Sequence, residues 1–585
     1  MKSFIKNIFA TVIGVLLTFI LIIILIIGVT SIVSSSTEKK NQNQAKNANI
    51  LTFNLSNIRI VEKTGNNLLS NITSSGELDK KIALKQILDN IEKAKNDNDI
   101  KAIYINSSFI NAGLSQIEEI RNKLLEFKQT KKPIIAYAET YSQNAYYLAS
   151  VANKVYLNPE GFIDLKGFSI SQIFFKDLLK KLDIDIQIIR HGKFKSAIEP
   201  FTLNSMSKDN RKQMKYLLSA FSNNIMDSIA NQRRITLTQI ENDANNLNLN
   251  LSKNCLKLNY VDKLLYQDEV EDILTQLSHS DKLQKVNIDK YIKKKMKGEK
   301  ISRNKIAIIY ATGSIKSGKG DEESIGSETL INAIRKARKD EKVKAIVLRI
   351  NSGGGSALAS DVIWRETILA KKEKPLIVSM GDYAASGGYY IACAADSIIA
   401  NPTTLTGSIG VFGMIPNMQK FYNNKLGIAI DTVNTNKYAD MGINRPLSKF
   451  EKNKLQKNIK NIYETFIRKV SEGRNINESA IEEIAQGRVW SGYDAKKIGL
   501  IDSYGGIDKA IEIAALLSKI TDYRIISLPK KKDPFEEILY ELDKNAYTKL
   551  INKKIGINSK LNKPIEDLLK ADYIQARIPF IIKLK

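Results

Sequence analysis

Along most of the chain, apolar residues fall into short, β-branched runs that stop at small or turn-forming residues. Each run is followed by a stretch in which apolar positions recur three and four apart, as in residues 114–127 and 360–370. The runs read as buried strands and the stretches as helices covering them, which is the pattern of parallel α/β sheets. The order of elements occurs twice. Residues 100–106, 132–137, 146–149 and the pair Asn158-Pro159 are repeated as residues 343–347, 374–378, 389–392 and Asn401-Pro402. The fold expected is therefore α/β, a tandem repeat of two units.

Most of the candidate chemistry lies in the second copy. An apolar run, residues 375–380, stops at Gly381, and small residues then lead through Ser386-Gly387-Gly388 into a buried helix. A serine at such a strand-to-helix turn lies near free backbone N–H groups, and the glycines admit a substrate backbone. The same string would also serve as an ordinary helix cap. Upstream, the strand expected over residues 344–350 runs into the glycine-rich turn Asn351-Ser352-Gly353-Gly354-Gly355-Ser356, whose amides can face an oxyanion. Downstream lies Thr406-Gly407-Ser408-Ile409-Gly410. Three such turns define one crevice at the ends of parallel strands.

The copies differ where it matters. Aligning the tyrosine pairs sets Gln143 opposite Ser386, and no glycine-rich turn follows Asn106. Conversely, Lys195 in the first copy aligns with Ala439, among the apolar neighbours Phe194, Ala197 and Ile198. A buried lysine loses its charge readily and can then act as a base, whereas an exposed one, the commoner case, stays protonated.

At the amino end, residues 8–33 form an uncharged run of about 26, enough to cross a hydrocarbon core about 30 Å thick. It is too long for a secretory signal and no A-x-A cleavage string follows, so an uncleaved anchor is expected. The organisation expected is a short cytoplasmic tail (1–7), the anchor (8–33), a linker (34–49), a first repeat (50–300), a second repeat (301–528) and a C-terminal helical tail (529–585). The 585 residues carry a net charge of +27. The lysines are scattered among Asn and Ile without aromatic stacking strings, so a solvated basic surface is expected, not nucleic acid. Two cysteines and two histidines, none in ligand spacing, indicate neither a disulfide framework nor a metal site.

These strings together resemble bacterial signal peptide peptidase A in its long, tandem form, a serine protease related in fold to the Clp proteolytic subunit and the crotonases. The resemblance rests on KFKSAIEPF (193–201), INSGGGS (350–356), AASGGYYIA (384–392), TGSIGVFG (406–413) and GRVWSGYDAKKIGLID (487–502). It implies Ser386 as nucleophile, Lys195 as general base, Ser408 as the residue orienting the lysine, and an oxyanion hole from Gly354, Gly355 and Gly387. It also implies cleaved signal peptides and other apolar peptides as substrates, no cofactor or metal, and a homotetramer. The protein would be single-pass in the bacterial inner membrane, with the catalytic portion on the periplasmic side. One departure stands out: Gly353 occupies a position where the family usually has proline. A crotonase-like thioester enzyme and a catalytically silent membrane scaffold remain as alternatives.

Overall fold

The computed structural model describes residues 47–64, 80–280, 282–291, 302–321, 323–529 and 574–578, with scattered positions between 6 and 21. Most of the expected anchor, the basic stretch around 292–301 and the helical-periodic part of the tail lie outside the described residues. No helix among the described residues is long and apolar enough to cross a membrane.

Two parallel sheets correspond to the two copies. In the first, Lys263–Leu264, Lys154–Leu157, Ile134–Ala138, Ala102–Ile105, Ile50–Phe53 and Lys285–Asn287 lie side by side, all parallel. In the second, the order is Val489–Ser491, Leu405–Gly407, Leu376–Ala385, Val343–Ser352, Lys305–Thr312 and Arg524–Leu528. Only the outer strand Val489–Ser491 pairs antiparallel there. The strand expected to end at Gly381 instead continues to Ala385. Its extension is held by Leu405–Gly407, which pairs with Tyr383, Ala384 and Ala385. A glycine within a strand thus marks a close approach and not a stop.

Strand alternation sends side chains to two cores. Ala307, Ile309, Ile346, Leu348 and Ile350 join one apolar cluster within the second copy. Ile306, Ile308, Ala345, Val347 and Ile377 join a cluster that also holds Ile117, Ile120 and Leu124 of the helix Leu114–Lys128. The two copies therefore share a core. Each such Ile, Leu or Val side chain contributes roughly 1.5–3 kcal/mol by burial.

A polar seam runs beside this shared core. Arg349, fully buried, donates from Nε to Glu62 at 2.7 Å and from Nη2 to Glu119 at 2.6 Å, and from Nη1 to Ser379 Oγ at 2.8 Å. Asp382 accepts from the Ser115 amide at 3.0 Å, and Glu118 accepts from the Thr403 amide at 3.3 Å. Second-copy strand ends are thereby tied to the first-copy helix.

A third sheet belongs to neither copy alone. Its order is Ser324–Gly326, Ser314–Lys316, Gly354–Ser356, Ile574–Arg577, Phe412–Asn417 and Asp185–Arg190. Asp185–Arg190 of the first copy pairs antiparallel with Phe412–Asn417 of the second, Arg190 opposite Phe412. The strand Ile574–Arg577 lies within the region read from sequence as a helical tail.

Candidate active site

Ser386 follows directly on the strand Leu376–Ala385 and precedes the short helix Gly387–Ala392. Its backbone has φ 55° and ψ −114°, a conformation that costs a non-glycine residue on the order of 1–3 kcal/mol. The turn is fixed by two backbone bonds: the Ser386 amide donates to Gly407 O at 2.7 Å, and the Tyr390 amide donates to Ser386 O at 2.8 Å. The Ser386 hydroxyl does not cap the helix. It lies instead 2.8 Å from Lys195 Nζ.

Lys195 reaches this point from the other copy. Beyond Asp185–Arg190 the chain is caught by a bond from the Phe194 amide to Gln486 O at 3.0 Å, and the turn Ser196–Ile198 follows Lys195. Lys195 Nζ also lies 3.1 Å from Ser408 Oγ and 3.2 Å from Ser408 O. Ser408, with φ 50°, is held by its amide donating to Arg488 O at 2.7 Å. Its hydroxyl donates to Gly487 O at 3.4 Å, which leaves an oxygen lone pair for the lysine. Lys195, Ser386 and Ser408 are all fully buried. Burial alone pushes the Lys195 amine well below the usual lysine range.

The proton arrangement follows from counting donors. A neutral amine has two N–H bonds and one lone pair. In that form, N–H bonds given to the two Ser408 oxygens would leave the lone pair for the Ser386 hydroxyl, which donates to Gly410 O at 3.4 Å.

The three glycines named from sequence lie together but differ in their bonds. The Gly354 amide donates to Ser352 Oγ at 3.1 Å within its own turn. With φ 94°, Gly354 adopts a backbone that disfavours other residues. Gly355 pairs with Ile315 on one side and Ala576 on the other. Gly387 packs against Gly354, since a β-carbon on it would lie 3.2 Å from Gly354 Cα. The second copy's counterpart of Lys195 plays no part here: Ala439 is exposed, and Lys437 lies over the Tyr438 ring.

Three residues of the site were missed in sequence. Ser352 holds the glycine turn, and Gly410 lines the lysine stem, where an added β-carbon would lie 3.4 Å from Lys195 Cδ. Gly487, with φ 81°, packs so tightly that an added β-carbon would come within 2.8 Å of Lys195 N, Cα and Cβ. Its string, GRVWSG, was visible; that it cradles a lysine 292 positions away in the other copy was not.

A buried lysine amine, its charge disfavoured by desolvation, 2.8 Å from a serine hydroxyl beside a glycine turn is the arrangement of a serine hydrolase that uses lysine as its base. The profile described as Peptidase family S49 matches residues 126–281 and 368–521, and the chain belongs to that family. It is similar to Protease 4 of Haemophilus influenzae, 35% identical over 521 residues, 83% of this chain and 84% of that one. Protease 4 of Salmonella typhi is 37% identical over 453 residues, 76% and 73% of the two chains. The chloroplastic serine protease SPPA of Arabidopsis thaliana is 33% identical over 512 residues, 86% and 75%. The chain is a serine peptidase.

Proposed function

We propose that the protein is a membrane-anchored endopeptidase that degrades cleaved signal peptides and other apolar segments, with Ser386 as nucleophile and Lys195 as general base. The observation that carries this reading is the 2.8 Å approach of Lys195 Nζ to Ser386 Oγ in a fully buried setting. Neutral Lys195 takes the hydroxyl proton as Ser386 Oγ attacks the peptide carbonyl carbon. The oxyanion is held by the amides of Gly387 and Gly355, a single donor of this kind being worth about 2.7–4 kcal/mol in the barrier. Gly354, its own amide engaged, sets the turn. The protonated lysine then gives its proton to the leaving amine, and water, deprotonated by Lys195, releases the acyl group from Ser386. Ser408 orients the amine throughout.

The anchor reading is supported by the uncharged run 8–33, of which the described residues Ile13, Val15, Leu17 and Leu21 are helical and exposed. On this reading the two repeats, 50–300 and 301–528, stand on the periplasmic face of the inner membrane. Self-association is supported by the repeat itself, and the number of protomers, four, is what the family resemblance implies. Asp185–Arg190 pairs with Phe412–Asn417 within the chain, but their counterparts in the other copies, residues 429–434 and 169–174, carry no strand pairing. Ile430, Val433 and Ile173 are exposed there. Such exposed, unpaired segments fit the same antiparallel pairing between neighbouring protomers.

Labelling with a fluorophosphonate probe tests the core of the reading. The full chain is expected to label at one serine, and both Ser386→Ala and Lys195→Ala to lose the label. Undiminished labelling of the Ser386→Ala protein would rule out the assignment, and a full chain that never labels would favour a silent scaffold.

A further inference from the structure

The strand Ile574–Arg577 sits in a slot one strand wide. On one side it pairs antiparallel with Gly354–Ser356, with Gly355 opposite Ala576 and Gly354 opposite Arg577. On the other it pairs antiparallel with Phe412–Asn417, with Phe412 opposite Gln575 and Gly413 opposite Ile574. Both flanking edges carry backbone groups that would otherwise face each other across a gap. An extended peptide filling such a gap gains main-chain bonds on both sides whatever its sequence.

The register of the tail is informative. The Ala576 carbonyl oxygen lies between Gly354 and Gly387: a β-carbon on Gly354 would come within 2.0 Å of it, and one on Gly387 within 3.1 Å. Gly387 is the residue after Ser386. Ala576 is fully buried and belongs to the same apolar cluster as Ala357 and Ile409. The Ile578 amide donates to Gly353 O at 2.8 Å, and a β-carbon on Gly353 would meet Ile578 Cγ1 at 2.7 Å. The unusual glycine thus leaves room for the tail, which a side chain there would obstruct. With the tail in place, Ser386 and Lys195 have no solvent exposure.

From these contacts we infer that residues 574–578 are a built-in competitor for the peptide site, bound as a substrate strand with Ala576 in the position preceding the scissile bond. Peptide substrates gain access when the tail leaves. This rests on the reading of Ser386 as the centre of a peptide site. It adds that the site takes its ligand as an antiparallel strand with a small residue at the position of Ala576, because that side chain enters a closed apolar cluster.

The test uses the full chain, with Ala576→Trp to expel the tail and Gln575→Pro, which removes a backbone donor, as an independent second variant. In a Ser386→Ala background, binding of a fluorescein-labelled synthetic peptide of residues 571–585 is measured by polarisation. If the tail occupies the site in about nine molecules of ten, the expelled-tail proteins bind that peptide about tenfold more tightly than the native-tail protein. The same peptide carrying tryptophan at the Ala576 position binds at least tenfold more weakly than the native peptide. With Ser386 intact, kcat/KM for an unrelated peptide rises by a similar factor in the expelled-tail proteins. Equal binding with and without the native tail overturns the inference, even if hydrolysis is robust. Tail-dependent binding without hydrolysis would sustain the inference and remove only the peptidase reading.

Discussion

Lys195 is stabilising for chemistry and destabilising for the fold. Its amine is buried without a carboxylate partner, and burial alone lowers its pKa. The unfolded chain keeps an ordinary lysine, near 10.4. Between the lowered folded value and that figure, the folded state binds fewer protons than the unfolded one. Stability from this residue is thus fully present only above the ordinary lysine range and is lost as pH falls through the folded value. Lys195→Met, of similar length and without the amine, is expected to raise the urea midpoint at pH 7. It is also expected to lower kcat/KM by about 10²–10⁴, the usual contribution of a positioned base. In the native protein, kcat/KM should fall on the acid side as the amine gains its proton; a profile flat across that limb would mean that another group takes the serine proton. Ser386 and Lys195, which the fold brings within 2.8 Å, stood out in sequence because each differs from its counterpart in the other copy. Ser352 and Gly487 were not, since a serine in a turn and a glycine before Arg488 have many ordinary uses.

Elements deliver these residues through pairings that local pattern does not specify. The strand, turn and helix around Ser386 were readable, because an apolar run followed by small residues has few other foldings. The third sheet was not. Residues 184–190 and 428–434 carry the same alternation, yet the first forms a strand beside Phe412–Asn417 and the second is exposed. Partner and not propensity decides between them. Ile574–Arg577 has only two apolar positions and forms a strand because two sheet edges flank it. At this scale Gly487 is the sensitive position. Gly487→Ala introduces a β-carbon 2.8 Å from the Lys195 backbone at a residue with φ 81°. A displacement of about 1 Å in the lysine is expected to lower kcat about 100-fold while KM changes little. Unchanged kcat would show that the lysine's position tolerates more than the packing implies.

Over the whole molecule, the two copies are packed as one unit through a shared apolar core and a buried ionic seam. That a second-copy strand face is covered by Ile117, Ile120 and Leu124 could not be read from repeats, which predict similarity and say nothing of mutual packing. Arg349 joins the copies through Glu62 and Glu119. Arg349→Met leaves two carboxylates buried without their cation and is expected to cost about 3–5 kcal/mol in denaturant unfolding. A loss below 1 kcal/mol, on the scale of surface pairs, would mean that the seam relaxes to admit water. Glu118, in the same seam, has its carboxyl pushed up to about 7 by burial, against about 4.3 in an unfolded chain. Between those values the folded state holds a proton that the unfolded state releases, so stability declines as pH rises through the window. Glu118→Gln should flatten that decline between pH 5 and pH 8; an unaltered slope would place the titration elsewhere. The split of the dyad across copies also sets a clock on biosynthesis. Serine and lysine stand 191 positions apart, so at roughly 5–20 residues per second the base leaves the ribosome about 10–40 s before the nucleophile. Throughout that interval the growing chain carries only the lysine half of the proposed centre.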